Sequence, residues 1–494
     1  MKNKQKENRI IGTYIYPSFA NKNKIYKIKA VLLEYRKTAA AIAKLQWKNF
    51  YTKGQFDKNM NIKSLQSRLT ERYKQTCQWQ VVSILEGFIS NIQQEFAKIV
   101  FSSNLPEKTK RILLFLNSRK EWLIKKNKKA VWYENNEKTE YEITQEERLL
   151  SKKIFKHILS KWNKPRFRNI SMMLDSKVAI AEENRKSKTF DKWIKISTLE
   201  RNKPVFIPLK NNTYAEAVDG EFLNFYQIEV KENKLTVRLI KELKKKEYEP
   251  MIPEIAIDLG LDPLFATDKG DLIGKQFLTF LTKMDEKITR RMAYLQKNGI
   301  KPSQDTMYNK MVKNLREFLK NEINRFLNHI VELYRPARIV VEKLDFRSPE
   351  LSKRLNRLIQ QFGKRYITEK LKRLNELYGI EIVEVNPAYT SQQCSKCGYV
   401  DKDNRKSTHE FECKACRYKI NAQINGARNI LNRRSIEDIK IHTPKKQVLK
   451  ILIEQYLERH KGCNSAPLEV LSSNPYFSEF LDTLPIPLEC DKCL

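Results

Sequence analysis

The sequence predicts an α+β multidomain protein, and three observations carry that prediction. Long charged segments almost free of glycine fill the first third of the chain and read as helix. Short alternating runs follow and read as hairpins. Apolar strands then interleave with long helical patterns, which indicates a mixed α/β sheet covered by helices. The 494 residues suffice for roughly two to four domains, each with its own core.

In chain order, Lys24 to Leu32 reads as a strand and the Ala-rich stretch Glu34 to Tyr51 as helix. Helical character continues to about Phe167. Trp47, Trp79, Trp122, Trp132 and Trp162 lie there among basic runs such as Lys125 to Lys129. Each tryptophan is expected in the core, although the mixture also suits base stacking beside phosphates. From Arg168 to Lys241 a hairpin is expected, with Tyr226, Ile228 and Val230 leading to a turn at Lys231 to Lys234 and then Leu235, Val237 and Leu239. This β-region should resume the sheet begun near the N-terminus. Lys241 to Lys246 with Pro250 and Pro253 reads as a linker. Beyond it come a strand at Ile255 to Asp258, a hairpin through Leu264 to Thr267 with a turn at Asp268 to Gly270, and a helix over about Met307 to Tyr334. A strand at Arg338 to Glu342, a helix over about Pro349 to Tyr378 and a strand at Ile380 to Val385 complete the pattern.

Lys and Arg total 95 against 58 Asp and Glu, a formal charge of +37. That excess points to a polyanionic partner. No stretch approaches the roughly 20 apolar residues of a membrane span, and Met1 to Arg9 lead into no signal-peptide core. Nucleic acid in a reducing cytoplasm is the expected setting. Four of the eight cysteines cluster, and Cys77, Cys463, Cys490 and Cys493 are scattered, unlike a secreted disulfide framework.

Two apolar strands end in a carboxylate, Asp258 and Glu342. An acid there is costly unless it is paired, hydrogen-bonded or bound to a cation. Together the two resemble the split active site of the RNase H-like fold, in which acids from separated segments hold two Mg²⁺ ions across a phosphodiester. Cys394-x-x-Cys397 and, after fifteen intervening residues, Cys413-x-x-Cys416 form two knuckles able to close a tetrahedral zinc site. Four protein ligands leave no open position, so that zinc is structural. His409 is the poorer ligand and reads as a loop residue.

Asn386-Pro387-Ala388-Tyr389-Thr390-Ser391-Gln392-Gln393-Cys394-Ser395-Lys396-Cys397-Gly398 resembles the C-terminal signature of transposon-encoded TnpB proteins and the miniature type V-F CRISPR effectors. Ile257-Asp258-Leu259-Gly260 and Val341-Glu342 are similar to that family's first two RuvC motifs. The resemblance implies a wedge β-barrel at 1–33 and 168–249, interrupted by a helical recognition lobe at 34–167. A RuvC-like domain at 250–390, a Cys₄ zinc ribbon at 391–420, a last RuvC segment at 421–440 and a C-terminal extension at 441–494 would follow. It also implies guide RNA and target double-stranded DNA as partners, Tyr389 and Arg428 as nucleic-acid contacts, homodimerisation on one guide, and residence in a prokaryotic cytoplasm, at the nucleoid when DNA is bound.

Active relatives carry an aspartate two residues before an Asn-Ala-Ala or Asn-Gly-Ala run. Here Asn425-Gly426-Ala427-Arg428-Asn429 is intact and that position is Gln423. A neutral amide offers an oxygen without charge, so Mg²⁺ would be held weakly. Guided DNA binding without cleavage is therefore expected, acting by occupancy in transcription regulation or by recruitment. An active nuclease in which Glu437, Asp438, Asp401 or Asp403 replaces the missing acid is the alternative, and a guide-independent nucleic-acid-binding accessory protein is the third reading. The tail 463–494 turns acidic and Pro-containing, with Tyr476, Phe477, Phe480 and Leu481 expected at its surface. It is expected either to dock a protein such as transcription machinery or a second copy, or to fold against the chain's own basic surface.

Overall fold

A computed structural model describes residues 10–134, 137–183, 189–342, 352–460, 471 and 473–481. The chain divides into two compact units, Met1–Lys244 and Lys245–Leu494. The boundary falls within the expected basic linker, of which Lys241 to Leu243 still belong to a strand.

The first unit runs β1 (Ile10–Pro17), α1 (Lys22–Lys53), α2 (Glu71–Phe101), α3 (Glu107–Ser118), β2 (Lys129–Glu134), β3 (Glu137–Glu142) and α4 (Gln145–Lys161). It continues with β4 (Met172–Asp175), β5 (Ala179–Glu183), β6 (Lys192–Ile196), β7 (Val205–Leu209), α5 (Thr213–Ala217), β8 (Gly220–Lys231) and β9 (Lys234–Leu243). The N-terminal strand is Ile10–Pro17, and Lys24 to Leu32 is helix instead. Ile28, Val31, Leu32 and Tyr35 are buried at spacings of three and four, so the apolar period is helical. Asn21 caps the start by accepting from the Lys24 amide at 2.9 Å, and Gly54 at φ 73° ends the helix.

The β8/β9 hairpin forms where alternation placed it, and β1 pairs antiparallel with β9, giving the order β1-β9-β8-β4. A separate antiparallel sheet has the order β5-β6-β7. The helical region also contains the β2/β3 hairpin, which charge-rich alternation hid. Trp122 is buried at 2 % exposure and stacks on Phe155, 4.6 Å between centroids. Trp47, Trp79, Trp132 and Trp162 are half-buried.

The second unit comprises β10 (Ile252–Leu259), β11 (Phe265–Thr267), β12 (Leu272–Ile273), α6 (Phe277–Lys297), α7 (Thr306–Tyr334), β13 (Pro336–Glu342), α8 (Lys353–Tyr378) and β14 (Glu381–Val385). Then come β15 (Glu410–Glu412), β16 (Lys419–Asn421), α9 (Ala422–Arg434), α10 (Lys445–Arg459) and α11 (Pro475–Leu481). Five strands form one sheet in the order β12-β11-β10-β13-β14. β10, β13 and β14 run parallel, and β11 and β12 are antiparallel. Ile255, Ile257, Ile339 and Val341 point to a core shared with α6, α7 and α8. Ala256 and Val340 on the opposite face meet Ile430 of α9. This alternation explains why the strands read as continuous apolar runs: both faces are covered. Among the described residues no helix is long and apolar enough to cross a membrane.

Candidate functional site

The sheet itself brings the first two acids together. β10 and β13 pair in parallel through Ile257 and Val341, so Asp258 and Glu342 follow side by side at the strands' carboxyl ends. Both are recessed, with part of each side chain open to solvent. Burial is the largest influence on each: it pushes Asp258 up to about 6, against the nearby Arg405 charge, and Glu342 up to about 8, reinforced by the charge on Asp258. The Thr390 hydroxyl donates to Glu342 Oε2 at 2.7 Å.

α9 crosses these strand ends. Its N-cap Asn421 accepts from the Gln423 amide at 3.0 Å and from the Ile424 amide at 3.4 Å. Gly426 faces Asp258 so closely that a Cβ there would lie 2.6 Å from Oδ2, so only glycine leaves room for the carboxylate. Gln423 is buried, at 3 % exposure. Its Nε2 donates to the Asp262 carbonyl at 2.7 Å, while Oε1 has no hydrogen-bond partner among the described residues. The amide also lies against Gly260, where a Cβ would be 2.9 Å from either terminal atom. The three motifs therefore converge on one recess with two carboxylates and one amide.

A cation can be held between Asp258 and Glu342, and the orphaned Gln423 oxygen fits as a weak neutral donor. This set is poor for two Mg²⁺ ions, since hard divalent cations need several anionic oxygens. Sequence reasoning missed two cations. Arg405, in the loop between the knuckles, is near enough to favour ionisation of both acids. Arg433, at 2 % exposure, donates to the Ala388 carbonyl at 2.8 Å and to Gln393 Oε1 at 3.2 Å, and burial draws it down to about 10. Arg433 lies ten residues after Gln423 in α9, a spacing that gave no signal without the fold.

The proposed replacements for the third acid lie on neither the acid-bearing strands nor α9. α9 ends at Arg434 with Ser435 as its cap, so Glu437 and Asp438 are not on it, and both are exposed. Asp401 and Asp403 are engaged by Lys414, at 3.6 and 2.6 Å.

Cys394, Cys397, Cys413 and Cys416 bring their sulfurs within 4.8 Å of one another. Four thiols at that separation fit a tetrahedral zinc site, and His409 is not among them. Its imidazole lies 3.6 Å from Asp262 Oδ2. The cluster is tied to α9 through Gln393, whose carbonyl accepts from Asn425 Nδ2 at 2.8 Å and Asn429 Nδ2 at 2.6 Å. Asn425 Oδ1 accepts in turn from the Ser395 amide at 2.9 Å.

The expected nucleic-acid contacts are placed differently. Tyr389 is buried, its ring edge-on to Tyr476 at 5.5 Å with Lys445 Nζ 4.9 Å from its centroid, so a base could reach it only if Tyr476 left. Arg428 is half-buried and donates to the Asp268 carbonyl and the Tyr418 hydroxyl. The tail corrects another expectation: Phe477 is fully buried and stacks on Tyr399 at 5.2 Å, and Tyr476 donates to Gln392 Oε1. Asn474 Nδ2 donates to the Tyr399 hydroxyl and the Val400 carbonyl. These aromatics pack against the Cys-cluster module instead of lying at the surface. Most of 463–494, with Cys463, Cys490 and Cys493, lies outside the described residues, as do the side chains of Phe480 and Leu481.

Residues 365–430 match the Cas12f1-like TNB domain family. The CRISPR-associated endodeoxyribonuclease Cas12f1 of Sulfoacidibacillus thermotolerans is 40% identical over 75 residues, 15% of this chain and 18% of that protein. The putative RNA-guided DNA endonuclease InsQ of Escherichia coli (strain K12) is 43% identical over 77 residues, 16% of this chain and 19% of its own. The TnpB-like protein MJ1635 of Methanocaldococcus jannaschii is 26% identical over 245 residues, 49% of this chain and 56% of that one. The chain thus matches less than a fifth of the first two relatives' length. A Cas12f1–sgRNA–target DNA complex solved by cryo-EM aligns with 88% of this chain and 100% of its own at 17% identity, with a TM-score of 0.41. By its sequence matches, the chain is a relative of the TnpB-like proteins and the miniature type V-F effectors.

Proposed function

We propose that this protein binds double-stranded DNA under the direction of a guide RNA and does not cut it. The observation that carries the reading is Gln423, an amide tied to a backbone carbonyl where the related nucleases would carry a third carboxylate. In this reading the first unit supplies the wedge barrel and recognition lobe, and the sheet bearing Asp258 and Glu342 is a RuvC-like remnant.

A divalent cation bound by Asp258 and Glu342 would supply Lewis-acid stabilisation of a phosphodiester. The chain's own groups do the rest: Thr390 orients Glu342, Gly426 leaves space for Asp258, and Arg405 balances their charge. Gln423 adds no anion, so the recess retains electrostatic affinity for one ion rather than a pair. Cys394, Cys397, Cys413 and Cys416 would hold a zinc ion that fixes the module against which α9 rests. The +37 charge supports a channel for an RNA–DNA heteroduplex. Occupancy of a DNA site, in the nucleoid of a prokaryotic cytoplasm, would then serve transcription regulation or recruitment, with homodimerisation and a tail-bound partner as further elements.

The test is cleavage of guide-matched DNA in Mg²⁺, using the RNA that co-purifies. Cutting by the wild-type chain, lost on Asp258→Ala, overturns the proposal. Gain of cutting in Gln423→Asp supports it. DNA binding indifferent to the guide would favour an accessory role instead.

A further inference from the structure

α6 carries an exposed stripe that neither the acid recess nor the Cys cluster uses. Phe280, Lys283, Lys287, Arg290, Tyr294 and Lys297 recur at spacings of three and four, which places them on one face of the helix. All six are exposed, with Phe280 at 50% and Tyr294 at 53%. Of the two acids of the same helix, Asp285 accepts from Ser352 away from this line, while Glu286 lies beside it and pairs with Arg290 at 3.5 Å, which leaves three lysines to carry its charge. Among the described residues Lys283, Lys287 and Lys297 have no acidic partner within salt-bridge distance.

The stripe begins at a cleft. Phe277, Phe280, Phe318 and Phe326 line a hollow of about 580 Å³ between the start of α6 and the body of α7, with Lys275 and the ion pair of Arg325 with Glu322 at its edge. Phe277 and Phe318 stack at 5.8 Å and 14°, which fixes that wall, and Phe280 inclines to Phe318 at 41°. The hollow falls in the roughly 300–1,000 Å³ range of ligand sites. A solvated cationic face explains lysines alone. It does not explain half-exposed aromatic rings set among them and a phenylalanine-lined hollow at one end.

We propose that α6 and this cleft form a binding track for single-stranded nucleic acid, with one base seated among the phenylalanines and the following phosphates along the lysines. Aromatic faces accept any base, and cations follow the backbone without reading sequence. From Phe280 to Lys297 the helix rises about 26 Å, enough for a strand of a few nucleotides. Both the positive line and the aromatic interleaving favour this occupant over an apolar protein segment, which would leave the cations unmatched. The track needs neither a guide nor the acid pair, so it goes beyond guided DNA binding.

The experiment uses the full chain and short oligouridylate and oligothymidylate probes carrying 5-iodouracil, crosslinked by light and mapped by mass spectrometry. Crosslinks should fall on α6 and α7 at Phe280, Phe318 or Tyr294. Phe280→Ala should weaken binding about ten-fold, within the range of losing one base stack. Lys283→Gln with Lys287→Gln and Lys297→Gln should lower the salt slope of binding by about 2, three single-strand contacts at roughly 0.7 each. A thermal melt by circular dichroism checks that these surface variants remain folded. Preference for uridylate assigns the strand to RNA, and preference for thymidylate to DNA. Crosslinks confined to residues 1–244 or an unchanged affinity in folded Phe280→Ala would overturn the track. A failure of guided binding with crosslinks still on α6 would overturn only the preceding proposal.

Discussion

The acid pair predicts a pH dependence that one substitution removes. Glu342 sits at about 8 and Asp258 at about 6, so the native state keeps protons that the unfolded chain releases near pH 4. More protons bound in the native state means that stability is fullest below about pH 4 and falls as the pH rises through 8. At ~1.4 kcal/mol per unit, Glu342 alone accounts for a loss of roughly 3 kcal/mol between pH 5 and 8, trimmed to about 2 by solvent reaching the recess. The Asp258 contribution does not simply add, because part of the Glu342 shift is the charge on Asp258. Glu342→Gln keeps an acceptor for the Thr390 hydroxyl and removes the titration. It should match wild type near pH 5 and exceed it by about 2 kcal/mol at pH 8 without divalent cations. The readout is hydrogen exchange in peptides spanning 252–259 and 336–342, compared between variants at equal pH. All six tryptophans lie in residues 1–244, so tryptophan fluorescence monitors the other unit as an internal reference. Added Mg²⁺ should raise protection at pH 8 in wild type and much less in the variant. Parallel pH profiles for wild type and Glu342→Gln would refute the coupling argued from the strand register.

Gly426→Ala gains helix propensity of about 1 kcal/mol but sets a methyl 2.6 Å from the Asp258 carboxylate, for a net loss of roughly 1–2 kcal/mol in a urea melt of the second unit. Pairing it with Asp258→Ala should recover most of that loss. Removing zinc with a chelator should raise hydrogen exchange across 422–434, because Gln393 ties α9 to the Cys cluster, and leave tryptophan fluorescence unchanged. Phe477→Ala should cost about 3–4 kcal/mol in local protection of the Cys-cluster module, since it removes a buried ring from Tyr399 and Tyr456. Equal protection there would return the tail to the surface.

What was legible depended on how local the signal was. The Cys spacing, the β8/β9 hairpin and the strands ending in Asp258 and Glu342 are written in short patterns, and each forms where the pattern stands. Lys24 to Leu32 was misread because isoleucine, tyrosine and valine favour strands, while the decisive information was the three-and-four spacing that continues to Tyr35. Phe477 and Tyr389 looked available because nothing in a linear sequence says that Tyr399, some 80 residues before the first, is its stacking partner. Arg405 and Arg433 were invisible for the same reason. Their importance lies in charge balance at the acids, which arises only where α9 brings Arg433 and the loop between the knuckles brings Arg405 to the strand ends.

Asp258 keeps Gly426 bare at a cost to its own helix. A helix gains from almost any residue in place of a mid-helix glycine. The bare position makes sense only while a carboxylate occupies the space beside it. If cutting has ended in this lineage, selection no longer holds the two together, and they are free to drift as a pair, glycine filling in as the acid disappears. Relatives that pair a neutral residue at 423 with an intact 258 and 426 would be recent losses or would still use the bound cation. Those in which all three have changed would be old ones.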